Sequence, residues 1–218
     1  MSVPSRSKMK SFHIGESIVF SDITLASLYI PKDGLGGMGL ELDILNGIHG
    51  MSSPVMDSVM QATAYVTAHG AIWVLLSCIL ICTRRYRYAG VAMLVCMFMG
   101  EILCDGVLKP MICRERPVDL ADFELLVEPP SSYSFPSGHS VVAFSAATAL
   151  FLFHRREGIV LMLCASFVAF SRLYLFVHWP TDVVAGALIG MIVSVLTVWF
   201  LRRYIPFFRE GDTGDAVR

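Results

Sequence analysis

Apolar residues run along this chain in long blocks, and polar residues gather in a few short clusters between them. A helix that crosses a bilayer takes about 20 mostly apolar residues. Residues 89–108, 140–153, 159–176 and 183–201 are four such blocks. The second is short, but Pro136 and Gly138 allow its helix to start earlier. A fifth block, residues 55–82, carries Gln61, Thr63, Thr67 and His69 among its apolar positions. It is expected to form a short re-entrant or packed helix that breaks near Gly70 and continues into one span.

The N-terminal part reads differently. Ser17, Ser21, Thr24 and Ser27 recur at helical spacing opposite Val19, Ile23, Ala26 and Ile30. That pattern suits a helix lying in the membrane interface better than one crossing it. A Gly-rich break at residues 34–39 precedes a second short amphipathic stretch, residues 41–49. No cleavable signal peptide is expected, because the first apolar stretch, near Phe12, is broken by Glu16 and Asp22. The expected fold is all-α: a polytopic transmembrane helix bundle of five spans, or six if the N-terminal segment crosses. It divides into a tail with an interfacial helix (residues 1–40), a membrane-embedded domain (41–204) and a C-terminal tail (205–218).

Basic residues orient this bundle. Arg84, Arg85 and Arg87, then Arg155 and Arg156, then Arg202 and Arg203 fall on one side if the spans alternate. Cytoplasmic connections carry an excess of Lys and Arg. The C-terminal tail is then cytoplasmic, and the connection at residues 109–136 and the turn at 176–181 face the other side.

Composition strengthens the membrane reading. Hydrophobic residues make up 55% and charged residues 16% of the 218, with a mean hydropathy of +0.64. Soluble domains average about 45–50% and about 25%. A net charge of −1 argues against nucleic acid as a partner. The six cysteines mostly sit inside apolar runs without paired zinc-ligand spacing, and read as small core residues.

Three polar clusters interrupt the apolar blocks, all at expected helix ends on one membrane face. The first runs from Lys109 to Pro117, with Lys109 and Arg116 two helical turns apart and Pro110 and Pro117 distorting the helix. Alone it reads better as basic residues snorkelling to headgroups. The second is Ser134-Phe135-Pro136-Ser137-Gly138-His139-Ser140, just before an apolar helix. Ser137 is a suitable cap, and the unpaired N–H groups of the first turn form an anion site that Gly138 leaves open. His139 would stand beside the anion and move protons. The third cluster, Ser171 to Asp182, holds Arg172, His178 and, four residues later, Asp182. A carboxylate at that spacing can take the Nδ1 proton of His178 and leave Nε2 free as a nucleophile.

Together the clusters demand a common cause, because a charge at the centre of a membrane helix costs about 2.5–3.5 kcal/mol on insertion scales. Three cations around a helix N-terminus, with two histidines, describe a site for phosphoryl transfer. No carboxylate cluster stands there to hold magnesium, so no metal or other cofactor is expected. The intramembrane acids Glu101 and Asp105 would also suit a transporter with an anion site. Two histidines and a paired aspartate are superfluous for binding alone.

The spacing K-x6-R-P from Lys109 to Pro117, P-S-G-H from Pro136 to His139 and S-R-x5-H-x3-D from Ser171 to Asp182 resembles one signature. It is that of the type 2 phosphatidic acid phosphatase superfamily, the membrane lipid phosphate phosphatases. No signature position departs, and the likeness covers roughly residues 55–201. Soluble vanadium haloperoxidases share the signature, but the spans exclude that branch. The resemblance implies that His178 attacks phosphorus to form a phosphohistidine, with Asp182 orienting its ring. It implies that His139 protonates the leaving oxygen and then serves as base toward water, the second substrate. Lys109, Arg116, Arg172, Ser137 and the Gly138 N–H would hold the phosphate.

The stretch from Asn46-Gly47-Ile48-His49-Gly50 to Asp57 is similar to that of bacterial undecaprenyl-diphosphatases in the superfamily. An integral protein of a bacterial cell membrane follows from that likeness, and the basic clusters place its site on the non-cytoplasmic face. A phosphatidylglycerophosphate or phosphatidate phosphatase is the next reading, and a lipid phosphotransferase the third. Asp105, four residues before Lys109, is expected either to pair with it in a supporting role or to sit in wet interface. The sequence does not indicate an oligomeric state.

Overall fold

Small residues explain how this bundle closes. In the computed structural model, which describes residues 38–120, 126–128 and 130–208, all regular structure among the described residues is helical. Among the described residues, ten helical segments precede the final helix. The N-terminal ones are α1 (Met38–His49), α2 (Pro54–Val66), a single 3-10 turn (Ala68–Gly70) and α3 (Ala71–Cys82). Next come α4 (Arg87–Glu101), a wide π-helical segment (Ile102–Leu108), and two one-turn pieces, α5 (Lys109–Ile112) and α6 (Pro117–Leu120). Three long helices complete the fold: α7 (Gly138–Phe153), α8 (Arg155–Tyr174) and α9 (Pro180–Tyr204). The described helices belong to one unit, Gly37–Arg218.

Helix α7 is the hub and packs most extensively on α9, α8 and α4. Its buried face is built of Ser140, Ala143, Ser145, Ala146, Ala147 and Ala149, so neighbouring backbones come close. A Cβ added at Gly186 would lie 2.7 Å from Ser137 O, and one at Gly190 would lie 2.5 Å from Val141 O. Glycine at both positions therefore lets α9 lie directly on the start of α7. Ser194 Oγ donates to Ser145 O (3.0 Å) and Ser145 Oγ to Gly190 O (3.3 Å), cross-linking the two helices where no water reaches. The outer faces of α8 and α9 expose Leu163, Phe167, Leu188, Ile192, Trp199 and Phe200, as a lipid-facing surface does.

Among the described residues, three helices are long and apolar enough to cross a membrane: Arg87–Asp119, Arg155–Tyr174 and Pro180–Tyr204. The pair Pro54–Val66 and Ala68–Cys82, bent by 48°, makes a fourth if counted as one span. The bend falls where the sequence places it, with His69 (φ 53°) and Gly70 (φ 70°) both left-handed. Helix α7, with 16 residues, is shorter than a typical span, and a count of five depends on including it. The segment at residues 16–30, on which a sixth depends, lies outside the described residues, as does the tail from 209. The stretch at 41–49 is helical, within α1.

The two ends of the bundle differ chemically. At one end Tyr86 donates to Glu157 (2.9 Å) and meets the His154 ring edge-on, and Arg202 donates to Leu152 O (2.9 Å). The three basic clusters named above belong to this end. The three polar motifs meet at the other.

Candidate active site

The chain brings its three motifs together with backbone hydrogen bonds. Ser134 N donates to Arg114 O (2.9 Å), and Ser137 N donates to Asp182 O (3.1 Å). Arg116 then spans the site. Its guanidinium donates to Ser132 O (2.8 Å), Val177 O (2.6 Å) and Tyr133 O (3.1 Å), and lies 3.3 Å from His178 Nε2. Arginine has no acceptor, so that last contact requires a bare Nε2 and places the ring proton on Nδ1.

Asp182 is completely buried and heavily bonded. It takes the Trp179 N–H at 2.9 Å, which ties it to the first turn of α9 just after Pro180. It also accepts from the Ser134 hydroxyl and from Arg114 (2.6 Å). His178 Nδ1 faces the same carboxylate at 3.7 Å, longer than a hydrogen bond. That nitrogen is buried and makes no hydrogen bond among the described residues. Loose contacts of this kind tighten when a charge develops on the ring. Burial pushes the His178 imidazole down to about 4 against the pull of Asp182, so the ring is neutral at pH 7.

The phosphate-binding candidates approach from three directions. Lys109 Nζ lies 2.6 Å from Asp105 Oδ1 and 3.4 Å from Ser132 Oγ. A Cβ on Gly138 would be 3.6 Å from that ammonium, which places Lys109 beside the first turn of α7. Arg172, 4% exposed, donates to Ser171 Oγ at 2.9 and 3.1 Å. Helix α7 turns its N-terminal N–H groups to the same place, a favourable end for an anion.

Two local expectations need correction. Ser137 occupies the N-cap position of α7, but its side chain makes no capping hydrogen bond and accepts instead from Ser140 Oγ (3.1 Å). Lys109 and Arg116 do not share a helix face either. The helix stops at Ile112, and Cys113 turns left-handed (φ 51°), so Arg116 reaches the site from an irregular stretch. Pro110, in the first turn of this short helix, lacks the N–H that would bond back into the π segment.

A cavity of about 730 Å³ opens here, lined by Asp105, Lys109, Arg116, Gly138, His139 and His178. Its remaining wall includes Trp73, Val74, Leu94, Met97 and Phe98, so a polar end runs into an apolar flank between α3 and α4. Ser137, Arg172 and Asp182 stand buried around it rather than lining it. Among the described residues, no group of three or more His, Cys, Asp or Glu is placed to hold a metal ion.

The family model of the PAP2 superfamily matches residues 88–206, more than half of the chain and all three motifs. The chain belongs to the PAP2 superfamily. It is 30% identical to the undecaprenyl-diphosphatase of Sulfolobus acidocaldarius, over 80% of this chain and 85% of that protein. Among solved structures it is similar to Aquifex aeolicus LpxE, with a TM-score of 0.63 and 27% identity over 73% of this chain and 95% of that one. It is also similar to the transmembrane PAP2 type phosphatidylglycerolphosphate phosphatase of Bacillus subtilis. The TM-score there is 0.60, with 27% identity over 78% of this chain and 88% of that one.

In this PAP2 chain, sequence reasoning missed Arg114, Ser134 and Glu41. Arg114 donates to Asp182 (2.6 Å) and to Glu41 (2.5 Å), and Glu41 accepts from the Thr181 backbone N–H (3.0 Å). Arg114 and Ser134 lay inside the quoted motifs, but nothing local marked them as partners of Asp182. Glu41 sits outside the family match, on α1, and carried no signal at all.

Proposed function

We propose that this PAP2 protein hydrolyses the terminal phosphate of a membrane lipid phosphate, with an isoprenyl diphosphate such as undecaprenyl diphosphate as substrate. The observation that carries this reading is the geometry of His178. Its bare Nε2 faces Arg116 at 3.3 Å inside the cavity, with the Asp182 carboxylate behind its Nδ1. Nε2 attacks phosphorus and the bond to the leaving oxygen breaks, giving a phosphohistidine. His139, on the cavity wall, gives that oxygen a proton and then takes one from the water that cleaves the intermediate. Lys109, Arg116 and Arg172, with the first N–H groups of α7 beyond Ser137 and Gly138, neutralise the phosphate oxygens, so no metal ion is required.

The apolar flank formed by Trp73, Val74, Leu94, Met97 and Phe98 supports a lipid rather than a soluble phosphate. The named undecaprenyl-diphosphatase relative supports the isoprenyl choice. Likeness to the phosphatidylglycerolphosphate phosphatase favours a second reading, a glycerolipid monophosphate. Placing the motifs opposite the three arginine clusters supports a site on the non-cytoplasmic face.

Purified protein in detergent is offered undecaprenyl diphosphate, phosphatidylglycerophosphate and phosphatidate, and inorganic phosphate is measured. Fastest release from the diphosphate is expected. Faster release from a glycerolipid selects the second reading, and no release from any lipid overturns the hydrolase.

A further inference from the structure

We propose that Glu41, on α1, is a positioning residue that tunes the Asp182–His178 pair through Arg114. This rests on the hydrolase reading above. Glu41 is 8% exposed although charged, and each of its oxygens is engaged. Oε2 takes Arg114 at 2.5 Å, and Oε1 takes the Thr181 N–H at 3.0 Å and the Thr181 hydroxyl at 2.5 Å. Arg114 completes the link by donating to Asp182 Oδ1 at 2.6 Å and to Thr181 Oγ1 at 2.6 Å. A buried charge held this way needs a counter-charge, and Arg114 serves two carboxylates at once.

The chemical consequence lies in how Asp182 is shared. Its Oδ2 is held by Ser134 and the Trp179 N–H, its Oδ1 by Arg114, and His178 Nδ1 waits at 3.7 Å. When Nε2 bonds to phosphorus, the ring becomes positive and Asp182 must answer that charge. A guanidinium bonded to Asp182 alone would drain the carboxylate of basicity. Glu41 takes up part of the Arg114 charge and leaves Asp182 able to stabilise the cationic ring. His178 is also faced by Arg116, Lys109 and His139, with Arg172 bearing on His139. Among these groups Asp182 is the sole anion set directly against the ring, so its strength matters. Helix α1 thereby becomes part of the active site although the family match begins at residue 88.

Glu41→Gln is the informative change, because its amide oxygen still accepts from Thr181 while the charge is gone. Against the lipid substrate that the wild type cleaves fastest, kcat should fall about tenfold or more, the loss associated with one charge-assisted contact. KM should stay unchanged, and the acid limb of kcat/KM should move to lower pH. Inorganic vanadate, held by the phosphate cradle, should inhibit as well as before. Glu41→Asp keeps the charge and should recover part of kcat. An unmoved pH profile with unchanged kcat overturns the proposal. So does an equal loss in Glu41→Asp and Glu41→Gln with the profile unmoved, which marks a purely structural contact. A wild type inactive on every lipid phosphate overturns the hydrolase reading itself.

Discussion

Lys109 Nζ lies 2.6 Å from Asp105 Oδ1, four residues earlier, across a segment wound as a π-helix. The Lys109 backbone N–H bonds Cys104 O, the five-residue reach of that wide turn. Wide turns of this kind occur often at functional sites, where they re-aim side chains. Here the side chains still meet, with Lys109 10% and Asp105 47% exposed. With its carboxylate half open to solvent, the pair adds only modest stability. Its effect is to hold the ammonium at one place beside Gly138. Asp105→Asn should leave Tm nearly unchanged and lower kcat/KM by about tenfold or more, since a hydrogen bond to a charged group is worth about 1.5–3 kcal/mol. Steady-state kinetics on the lipid substrate read this directly, and unchanged kinetics would reduce Asp105 to a wet surface carboxylate.

His178→Ala should abolish turnover while the protein still folds. If His178 is the nucleophile, brief incubation of wild type with substrate labelled in the terminal phosphate should leave acid-labile label on the chain. The variant should carry none. Label on the variant would move the nucleophile elsewhere.

Burial holds the His178 ring neutral, with its folded value near 4 and its unfolded value near 6.5. Between those values the unfolded chain binds a proton that the folded chain refuses, so stability rises with pH across that window and falls on acidification. Replacing the ring by glutamine removes this dependence. The Tm of His178→Gln in detergent should therefore decline less than that of wild type between pH 7 and pH 4. Parallel melting curves would contradict a neutral buried ring.

Gly138 tests the cradle without testing the fold. An added Cβ meets Lys109 Nζ at 3.6 Å, Asp105 Oδ1 at 3.9 Å and Cys104 Sγ at 3.9 Å, all ordinary contacts. Gly138→Ala should melt within a few degrees of wild type. Its methyl group stands between the α7 N-terminus and the ammonium, and small displacements of a bound reactant cost up to about a hundredfold. A fall in kcat/KM of at least about tenfold is expected, and binding isotherms for vanadate should weaken in step.

Cations replace a metal in the proposed chemistry, so excess EDTA should leave the rate unchanged. Vanadate should inhibit competitively by occupying the place of the phosphate. A rate lost on chelation and restored by magnesium would contradict the mechanism.

Much of the site was legible because membranes make polar residues conspicuous. Lys109, Arg116, His139, Arg172, His178 and Asp182 stand out against apolar neighbours, and their spacing matches a known signature. The break near Gly70 was legible for a similar reason, since polar Thr67 and His69 precede a glycine that adopts φ 70°. The His178–Asp182 spacing was legible too, because one local turn capped by the Trp179 N–H sets it.

Other features depended on contacts between distant parts of the chain. Glu41 and Arg114 are 73 residues apart, and Arg114 and Asp182 are 68 apart. No helical period or motif links such positions, because each is placed by the packing of whole helices rather than by local backbone preference. Sequence alone therefore singled out the residues proposed to carry the chemistry and set them at the ends of apolar helices. Tertiary structure decided how the charges are shared, because the burial that strengthens each contact exists only after α1, α7 and α9 have packed.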